Sequence, residues 1–199
     1  MATSTFDIGT LLPATLTAPG LNEREFLDLC RQFPDATLEY EPDGTVLIMP
    51  PTDPESGMRL AVIICELMNW SRRIGKGSVV GSDAGFFLPG GSRRSPDAAW
   101  FDSNRWKAAK VRGLSFPVFA PDFVIELRSP YDRLAPQARK MQEYIENGVK
   151  LGWLIDPQNR TVTVYRPGEA PTVLANPAEV AGEGPVEGFV LSLAEIFQP

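Results

Sequence analysis

The pattern of apolar and polar positions along the chain predicts four helices. Asn22 and Glu25 form a capping-box pair at the start of an apolar stripe that Pro34 ends. A longer stripe of leucine, isoleucine and methionine stops at Gly75, as is typical of a helix C-terminus, and predicts the main core helix. The predicted helices cover residues 22–33, 58–74, 134–147 and 193–197.

Short β-prone runs separated by turn signals predict a sheet. Pro42-Asp43-Gly44 separates two such runs, which is typical of a β-hairpin. Later in the chain the order is strand, helix, strand, so we expect a mixed sheet covered by helices, in the α/β or α+β class. The predicted strands cover residues 37–41, 45–49, 78–80, 85–88, 98–101, 123–127, 151–155 and 161–165.

The length of the chain favours one domain. Its 199 residues are enough for one compact core and few for two. Residues up to about position 19 are rich in threonine, alanine, leucine and proline and show no periodicity. We therefore expect an N-terminal arm over residues 1–20 and a single domain over residues 21–199.

The composition limits the chemistry that the protein can perform. The sequence has no histidine and two cysteines, which excludes Ser-His-Asp and Cys-His catalysis and leaves no cluster of soft ligands for zinc. Any catalysis must therefore use carboxylates and lysine. Cys30 and Cys65 both lie in apolar helical patterns, so we expect two core thiols in a reducing compartment and no disulfide.

Charge and hydropathy restrict the possible partners. The net charge of −6 opposes a general attraction to nucleic acid, although basic residues could still form a local patch. We find no apolar run long enough to cross a bilayer and no signal-peptide pattern, so we expect a soluble, cytoplasmic protein without a membrane partner. The candidate patch residues are Arg72, Arg73, Lys76, Arg93, Arg94, Arg105, Lys107, Lys110 and Arg112.

Glu126 is the most informative position, because it interrupts an apolar strand. A lone carboxylate there is costly unless a cation or several donors compensate its charge. A divalent cation such as magnesium is one solution, since it takes oxygen ligands from one or two protein carboxylates. The structural alternative is an ion pair with Arg128, two residues further along the same strand face.

Two further residues could act together with Glu126. Asp97 stands at the entrance of an apolar strand, where it could meet Glu126 on a neighbouring strand, although Pro-Asp is also a common turn pair. Lys140 lies on the helix after the Glu126 strand, with Gln137 and Tyr144 one turn away on the same face. It could point to the sheet and position water or neutralise charge, or it could be a solvated surface lysine.

Several short motifs occur in a set order along the chain. They are Pro96-Asp97, Glu126-Leu127-Arg128, Lys140, Gly148-Val149 and Trp153-Leu154-Ile155-Asp156-Pro157. Together they resemble the Uma-two family of restriction endonucleases, which belongs to the PD-(D/E)XK nuclease superfamily. The resemblance covers about residues 38–165 and implies a restriction-endonuclease-like fold, a mixed β-sheet flanked by helices.

The resemblance also implies a hydrolase that cleaves DNA phosphodiester bonds with Mg²⁺ or Mn²⁺. Asp97 and Glu126 match the metal ligands, with the Leu127 carbonyl as a further oxygen, and Lys140 matches a catalytic lysine. Glu39 matches an early acid that would contact metal or water; its alternative is an exposed hairpin residue. DNA is then the partner, and because an acidic monomer would bind it weakly, a homodimer that pools basic patches is expected.

Two departures from the family pattern leave a second function open. The superfamily places its lysine two residues after the glutamate, where this chain has Arg128, and many family members have a histidine where this chain has Glu55-Ser56-Gly57. The alternative is therefore a catalytically inactive nuclease fold that serves as a binding or regulatory module. A glycosidase that uses two acids is less favoured, because no sugar-stacking aromatic pattern surrounds Asp97 or Glu126.

Overall fold

A computed structural model describes residues 14–17, 21–49, 51–110 and 117–198. The helices are α1 (Glu23–Gln32), α2 (Pro54–Ile74), α3 (Ser103–Ala109), α4 (Leu134–Glu146) and α5 (Ala194–Phe197). The strands are β1 (Ala14–Thr17), β2 (Thr37–Tyr40), β3 (Thr45–Met49), β4 (Ser78–Gly81), β5 (Phe86–Phe87), β6 (Arg93–Arg94), β7 (Ala98–Phe101), β8 (Phe123–Leu127), β9 (Leu151–Asp156), β10 (Thr161–Tyr165), β11 (Thr172–Ala175), β12 (Glu179–Ala181) and β13 (Val190–Ser192).

A six-stranded sheet forms the centre of the molecule, in the order β11-β10-β9-β8-β7-β4. Its two middle strands, β8 and β9, run parallel and are joined through α4, whereas their other neighbours run antiparallel. A five-stranded sheet in the order β1-β3-β2-β6-β5 contains the predicted hairpin, and β12 pairs with β13. The prediction of a mixed sheet flanked by helices is confirmed.

The helix ends follow the sequence signals. At the start of α1, the Asn22 side chain accepts a hydrogen bond from the backbone of Glu25, and the Glu25 side chain accepts one from Asn22. Asp53 caps α2, which begins at Pro54, four residues before the predicted start, and proline suits the first position of a helix. Gly75 ends α2 in the left-handed conformation, at φ 63°.

Helices cover both faces of the six-stranded sheet. On one face, Ile63 and Leu67 of α2 pack in a cluster with Trp153 of β9 and Phe189 of the C-terminal segment. On the other face, Met141 and other residues of α4 pack against β8 and β9. A third cluster joins α1 to the hairpin. The sheet is therefore buried on both sides at β8, whose five residues are all buried.

Several segments differ from the sequence-based expectation. Within the predicted arm, Ala14–Thr17 pair with β3, while residues 1–13 and 18–20 lie outside the described part. Helix α3 and strands β6, β11, β12 and β13 were not expected, because each is short and lacks a clear apolar period. Among the described residues, no helix combines the length and apolar character needed to span a bilayer.

The two cysteines are free, as expected, but they are not both core thiols. Cys30 is half-buried and Cys65 is exposed. The expectation is wrong for Cys65 because it lies about half a helical turn from the core-facing residues Ile63 and Leu67. Helix α2 therefore carries apolar residues on its outer face as well as on its inner face.

Candidate active site

A cavity of about 770 Å³ opens where the hairpin, the start of α2, the ends of β7 and β8, and α4 meet. Asp97, Glu126, Glu39 and Lys140 all line it. The structure therefore brings together the four side chains that the sequence singled out, although β2, β7, β8 and α4 are far apart in the chain.

Glu126 lies at the end of β8 with 2 % of its surface exposed. The Lys140 Nζ is 2.9 Å from its Oε1, and the Tyr144 hydroxyl donates a hydrogen bond of 3.0 Å to the same oxygen. The alternative partner, Arg128, instead pairs with Asp156 at 2.7 Å. The ion pair within β8 is therefore wrong, because Arg128 follows the end of the strand and its side chain reaches the end of β9.

Asp97 lies at the start of β7, beside Glu126. Because β7 pairs with β8 and Ala98 faces Ile125, Asp97 comes next to the end of β8, and its Oδ2 accepts a hydrogen bond of 2.8 Å from the Leu127 backbone. Both carboxylates line the same cavity.

Lys140 connects the two sheets. Its side chain is 18 % exposed, and its Nζ lies 2.9 Å from Glu39 Oε1 as well as from Glu126. Glu39 is 4 % exposed, so the alternative of an exposed hairpin acid is wrong. The alternative of a solvated surface lysine is likewise wrong for Lys140. The Glu39 Oε1 also accepts a hydrogen bond of 3.0 Å from the Ser95 backbone.

Arg94 also supports this arrangement. It was not predicted as a site residue, because the sequence placed it in a candidate basic patch on the surface. It is 4 % exposed and its guanidinium contacts Glu39, Glu41 and Glu143. These contacts tie β2 to α4, the two elements that carry Glu39 and Lys140. No local signal identifies this role, because Glu143 and Glu41 lie 49 and 53 residues away in sequence.

The pKa values of the four groups are shifted in different directions from their ordinary values. Burial raises the pKa of Asp97 to about 6 and that of Glu126 to about 8, with Lys140 acting against the rise in both cases. Burial also opposes ionisation of Glu39, but Lys140 and Arg94 hold its pKa below the usual value. Burial opposes the charge of Lys140, yet Glu126 and Glu39 raise its pKa, so it stays protonated at neutral pH.

The donor set suits a hard divalent cation. Within the described residues no three aspartate, glutamate or cysteine side chains form a cluster arranged around an ion. Asp97 and Glu126 nevertheless supply oxygen ligands beside an open cavity, and because burial raises the pKa of both carboxyl groups, a further cation beside them would favour their ionised form. Mg²⁺ is commonly held by one or two carboxylates, with water and substrate oxygens completing its ligands. The residues present therefore fit such an ion.

The walls of the cavity are strongly acidic. Seven carboxylate side chains and one lysine are found among its described lining residues. Asp35, Asp53, Asp83 and Asp132 supply the acids beyond the four central groups, and Tyr131 stands at the rim with 83 % of its surface exposed. A polyanion entering this cavity would meet repulsion unless cations or a partner compensate it.

Not all residues of the candidate basic patch are free on the surface. Arg93 and Arg94 are buried, Arg105 pairs with Asp122 at 2.6 Å, and Lys76 pairs with Asp102 at 3.4 Å. Arg72 and Arg73 are exposed in the last turn of α2, at the end away from the cavity. Arg112 lies outside the described residues.

A mixed sheet with flanking helices, with two acids at the ends of its strands and a lysine on the helix beside them, defines a restriction-endonuclease-like fold. The chain belongs to the Uma2 family, described as "Putative restriction endonuclease", whose model matches residues 24–194. The structure is also similar to that of a "putative nuclease belonging to DUF820" from Anabaena variabilis, with a TM-score of 0.74, 21 % identity, and coverage of 89 % of this chain and 97 % of that one. That likeness establishes the fold. No curated protein matches the sequence significantly.

Proposed function

We propose that the protein is a metal-dependent endonuclease that hydrolyses phosphodiester bonds in DNA. The observation that carries the proposal is the meeting of Asp97, Glu126 and Lys140 at one end of the central sheet, facing a cavity. Membership of the Uma2 family supports the nuclease reaction. The substrate and the metal are inferred from the family and from the donor set.

Asp97 and Glu126 would hold Mg²⁺ or Mn²⁺, with the Leu127 carbonyl as a further oxygen. A bound ion would polarise a phosphate oxygen and lower the pKa of water. Lys140 is protonated, so it cannot accept a proton from water; it can orient the water or neutralise charge that develops on the phosphate.

Two residues would keep this lysine in place. Tyr144 donates its hydroxyl to Glu126 and fixes one carboxylate oxygen, and Glu39 holds Lys140 from the opposite side. Their part is to orient the groups that touch the substrate. Glu39 could also contact water in the cavity, since it forms part of the cavity wall.

Cleavage of supercoiled plasmid in Mg²⁺ and Mn²⁺ tests the proposal. Asp97→Asn, Glu126→Gln and Lys140→Met are each expected to reduce the rate by a factor on the order of 100 or more, because each removes a charge that contacts the reacting groups. Lys107→Met and Glu66→Gln are matched controls, since both residues are exposed on helices outside the cavity lining. Cleavage that persists in all three site variants would overturn the assignment.

A second candidate function is a binding or regulatory module without catalysis. It is favoured by the position of Lys140, which already contacts both Glu126 and Glu39 without a metal, and by the acidic cavity wall. Titration calorimetry separates the two: a nuclease needs Mg²⁺ or Mn²⁺ binding that Asp97→Asn weakens. A protein that binds neither ion and cleaves no DNA would be the module.

A further inference from the structure

The outward face of α2 carries a row of apolar residues. Ile63, Leu67 and Trp70 of this 21-residue helix face the core. On the opposite side, Met58 is 65 % exposed, Ala61 and Cys65 are exposed, and Met68 is half-buried. These four residues are spaced by three, four and three positions, which places them in one line along the helix.

This spacing is the heptad pattern by which one helix packs against another. A core-facing stripe is already present on the other side of α2, so the outer row is not needed to bury the helix on its own sheet. Apolar residues sustained over three helical turns of an exposed face indicate a covering partner more strongly than single exposed residues do.

The charges at the ends of α2 identify the partner. Asp53 and Glu55 lie at its start, and Arg72 and Arg73 lie in its last turn. A second copy of the same helix in the antiparallel direction would therefore set basic ends against acidic ends. A parallel copy would bring like charges together.

The antiparallel register also matches the sizes of the side chains. With a two-fold axis near Ile63, Met58 faces Met68 of the partner subunit and Ala61 faces Cys65 of the partner subunit. The small residues then lie at the centre, where the helices approach most closely, and the methionines close both ends of the apolar row.

We infer that the protein forms a two-fold dimer through α2, and that each subunit supplies Arg72 and Arg73 to the cavity mouth of the other. Helix α2 spans about 30 Å, so within one subunit these arginines lie far from the cavity. The antiparallel pairing brings them beside Asp53, which lines the cavity of the opposite copy. Two basic groups then stand where the cavity wall is acidic and a polyanion must enter.

The second part of this inference, the role of the arginines toward DNA, rests on the proposed nuclease function. The first part, the α2 interface, does not. The interface is therefore tested by disulfide cross-linking and by the mass of the assembly in sedimentation, separately from any reaction with DNA.

Cysteine cross-linking tests the interface and its register. Ala61→Cys, with Cys65 native, is expected to form a disulfide-linked dimer under mild oxidation, because residue 61 faces Cys65 of the partner subunit. Ala108→Cys is the matched control, an exposed alanine on α3 that is expected to remain monomeric in denaturing gels. Rapid cross-linking of the unchanged protein through Cys65 would show a parallel pair and overturn the register; equal, slow oxidation of A61C and A108C would overturn the interface.

Sedimentation of the unmodified protein supplies a second measurement. Ala61→Glu places two unpaired glutamates at the centre of the α2 interface and is expected to raise the dimer dissociation constant about a hundredfold. Ala108→Glu is expected to leave this constant unchanged. A protein that is monomeric at all concentrations would overturn the inference. If A61C cross-links but Arg72→Gln and Arg73→Gln leave the affinity for a DNA duplex in Ca²⁺ unchanged, the interface stands and the role of the arginines fails.

Discussion

At the scale of single residues, the ammonium group of Lys140 holds together carboxylates from two different sheets. It contacts Glu39 of the hairpin sheet and Glu126 of the central sheet, each at 2.9 Å. Both acids are almost completely buried, so neither can turn to solvent if the lysine is lost. The same lysine that we assign to catalysis is therefore expected to contribute to stability.

Lys140→Met is expected to lower the free energy of unfolding by about 3 kcal/mol at pH 7, because it removes the nearest cation from the buried, ionised Glu39 and a hydrogen-bond donor from Glu126. Urea denaturation measures this change. Lys107→Met, on an exposed position of α3, is expected to have an effect within about 0.5 kcal/mol.

The double variant Glu39→Gln with Lys140→Met shows whether the loss comes from the unpaired charge, since Glu39 is the acid whose pKa Lys140 lowers. The neutral amide needs no cation, so the double variant is expected to be more stable than Lys140→Met alone. An equal or lower stability of the double variant would contradict the idea that Lys140 compensates Glu39.

At the scale of elements, the helices and strands with a strong period could be predicted and the short ones could not. The capping box of α1, the Asp-Gly turn of the hairpin and the Gly75 stop of α2 are local signals, and the structure follows each of them. Strands β11 to β13 have three or four residues and are specified by their neighbours in space.

The candidate site could be predicted only in part for the same reason. Glu126 was visible because a carboxylate within an apolar strand is unusual, whereas Asp97, in a common Pro-Asp pair, was singled out by the order of the two signals. The pairing of Arg128 with Asp156 and the role of Arg94 depend on contacts between distant segments, and the sequence alone does not contain the distances that decide them.

The end of α2 offers a prediction at this scale. Gly75 and Gly77 both have positive φ, at 63° and 82°, so both resist substitution. A Cβ at Gly77 would also lie 2.2 Å from the ring of Trp100, whereas a Cβ at Gly75 would meet nothing within 4 Å. Gly77→Ala is therefore expected to lower the free energy of unfolding by about 1–3 kcal/mol more than Gly75→Ala.

Thermal and urea unfolding of the two alanine variants side by side measure the difference. Because both variants carry the strain of a left-handed alanine, their difference isolates the contact with Trp100. Equal stabilities would show that the indole ring moves aside without cost.

At the scale of the whole molecule, a buried acid holds neighbouring segments together. It lies just before β8, at the end of the central sheet away from the cavity. Asp122 is 1 % exposed and contacts Arg105 at 2.6 Å, Lys150 at 2.7 Å, and the Asp102 backbone at 2.9 Å. Burial alone would raise the pKa of Asp122, but the hydrogen bonds from Lys150 and Arg105 lower it below 3.8. The ionised acid therefore stabilises the fold.

Asp122→Asn is expected to lower the free energy of unfolding by about 1–3 kcal/mol at pH 7. A lowered pKa gives stability that is present above the ordinary value of 3.8 and is lost as the pH falls through the folded-state pKa. The difference between the variant and the unchanged protein should therefore shrink below about pH 4. Asp28→Asn, at an exposed ion pair, serves as the control; a difference for Asp122→Asn that is constant from pH 7 to pH 3 would contradict this account.

The arginines of α2 give a prediction for DNA binding, because the net charge of −6 opposes a general attraction of the protein to DNA. If the arginines of α2 supply the main phosphate contacts, replacing Arg72 and Arg73 by Gln should make the slope of log affinity against log salt shallower by about 1–2. Fluorescence anisotropy with a labelled duplex in Ca²⁺ measures this slope. Lys107→Gln is the control, because α3 follows β7 at the strand end opposite to Asp97; an equal effect of both changes would argue against the α2 arginines.

The C-terminal segment of the fold has a consequence for synthesis of the protein. Phe189, Leu191 and Ile196 are buried in the cluster that α2 and Trp153 share, so the core is closed by residues that are synthesised after all four residues of the candidate site. A chain broken off after residue 165 would contain Glu39, Asp97, Glu126 and Lys140 but would lack the side chains that cover the central sheet. Chains that stop at residue 165 are therefore expected to have no assembled site, and the proposed cleavage of DNA would require the C-terminal segment.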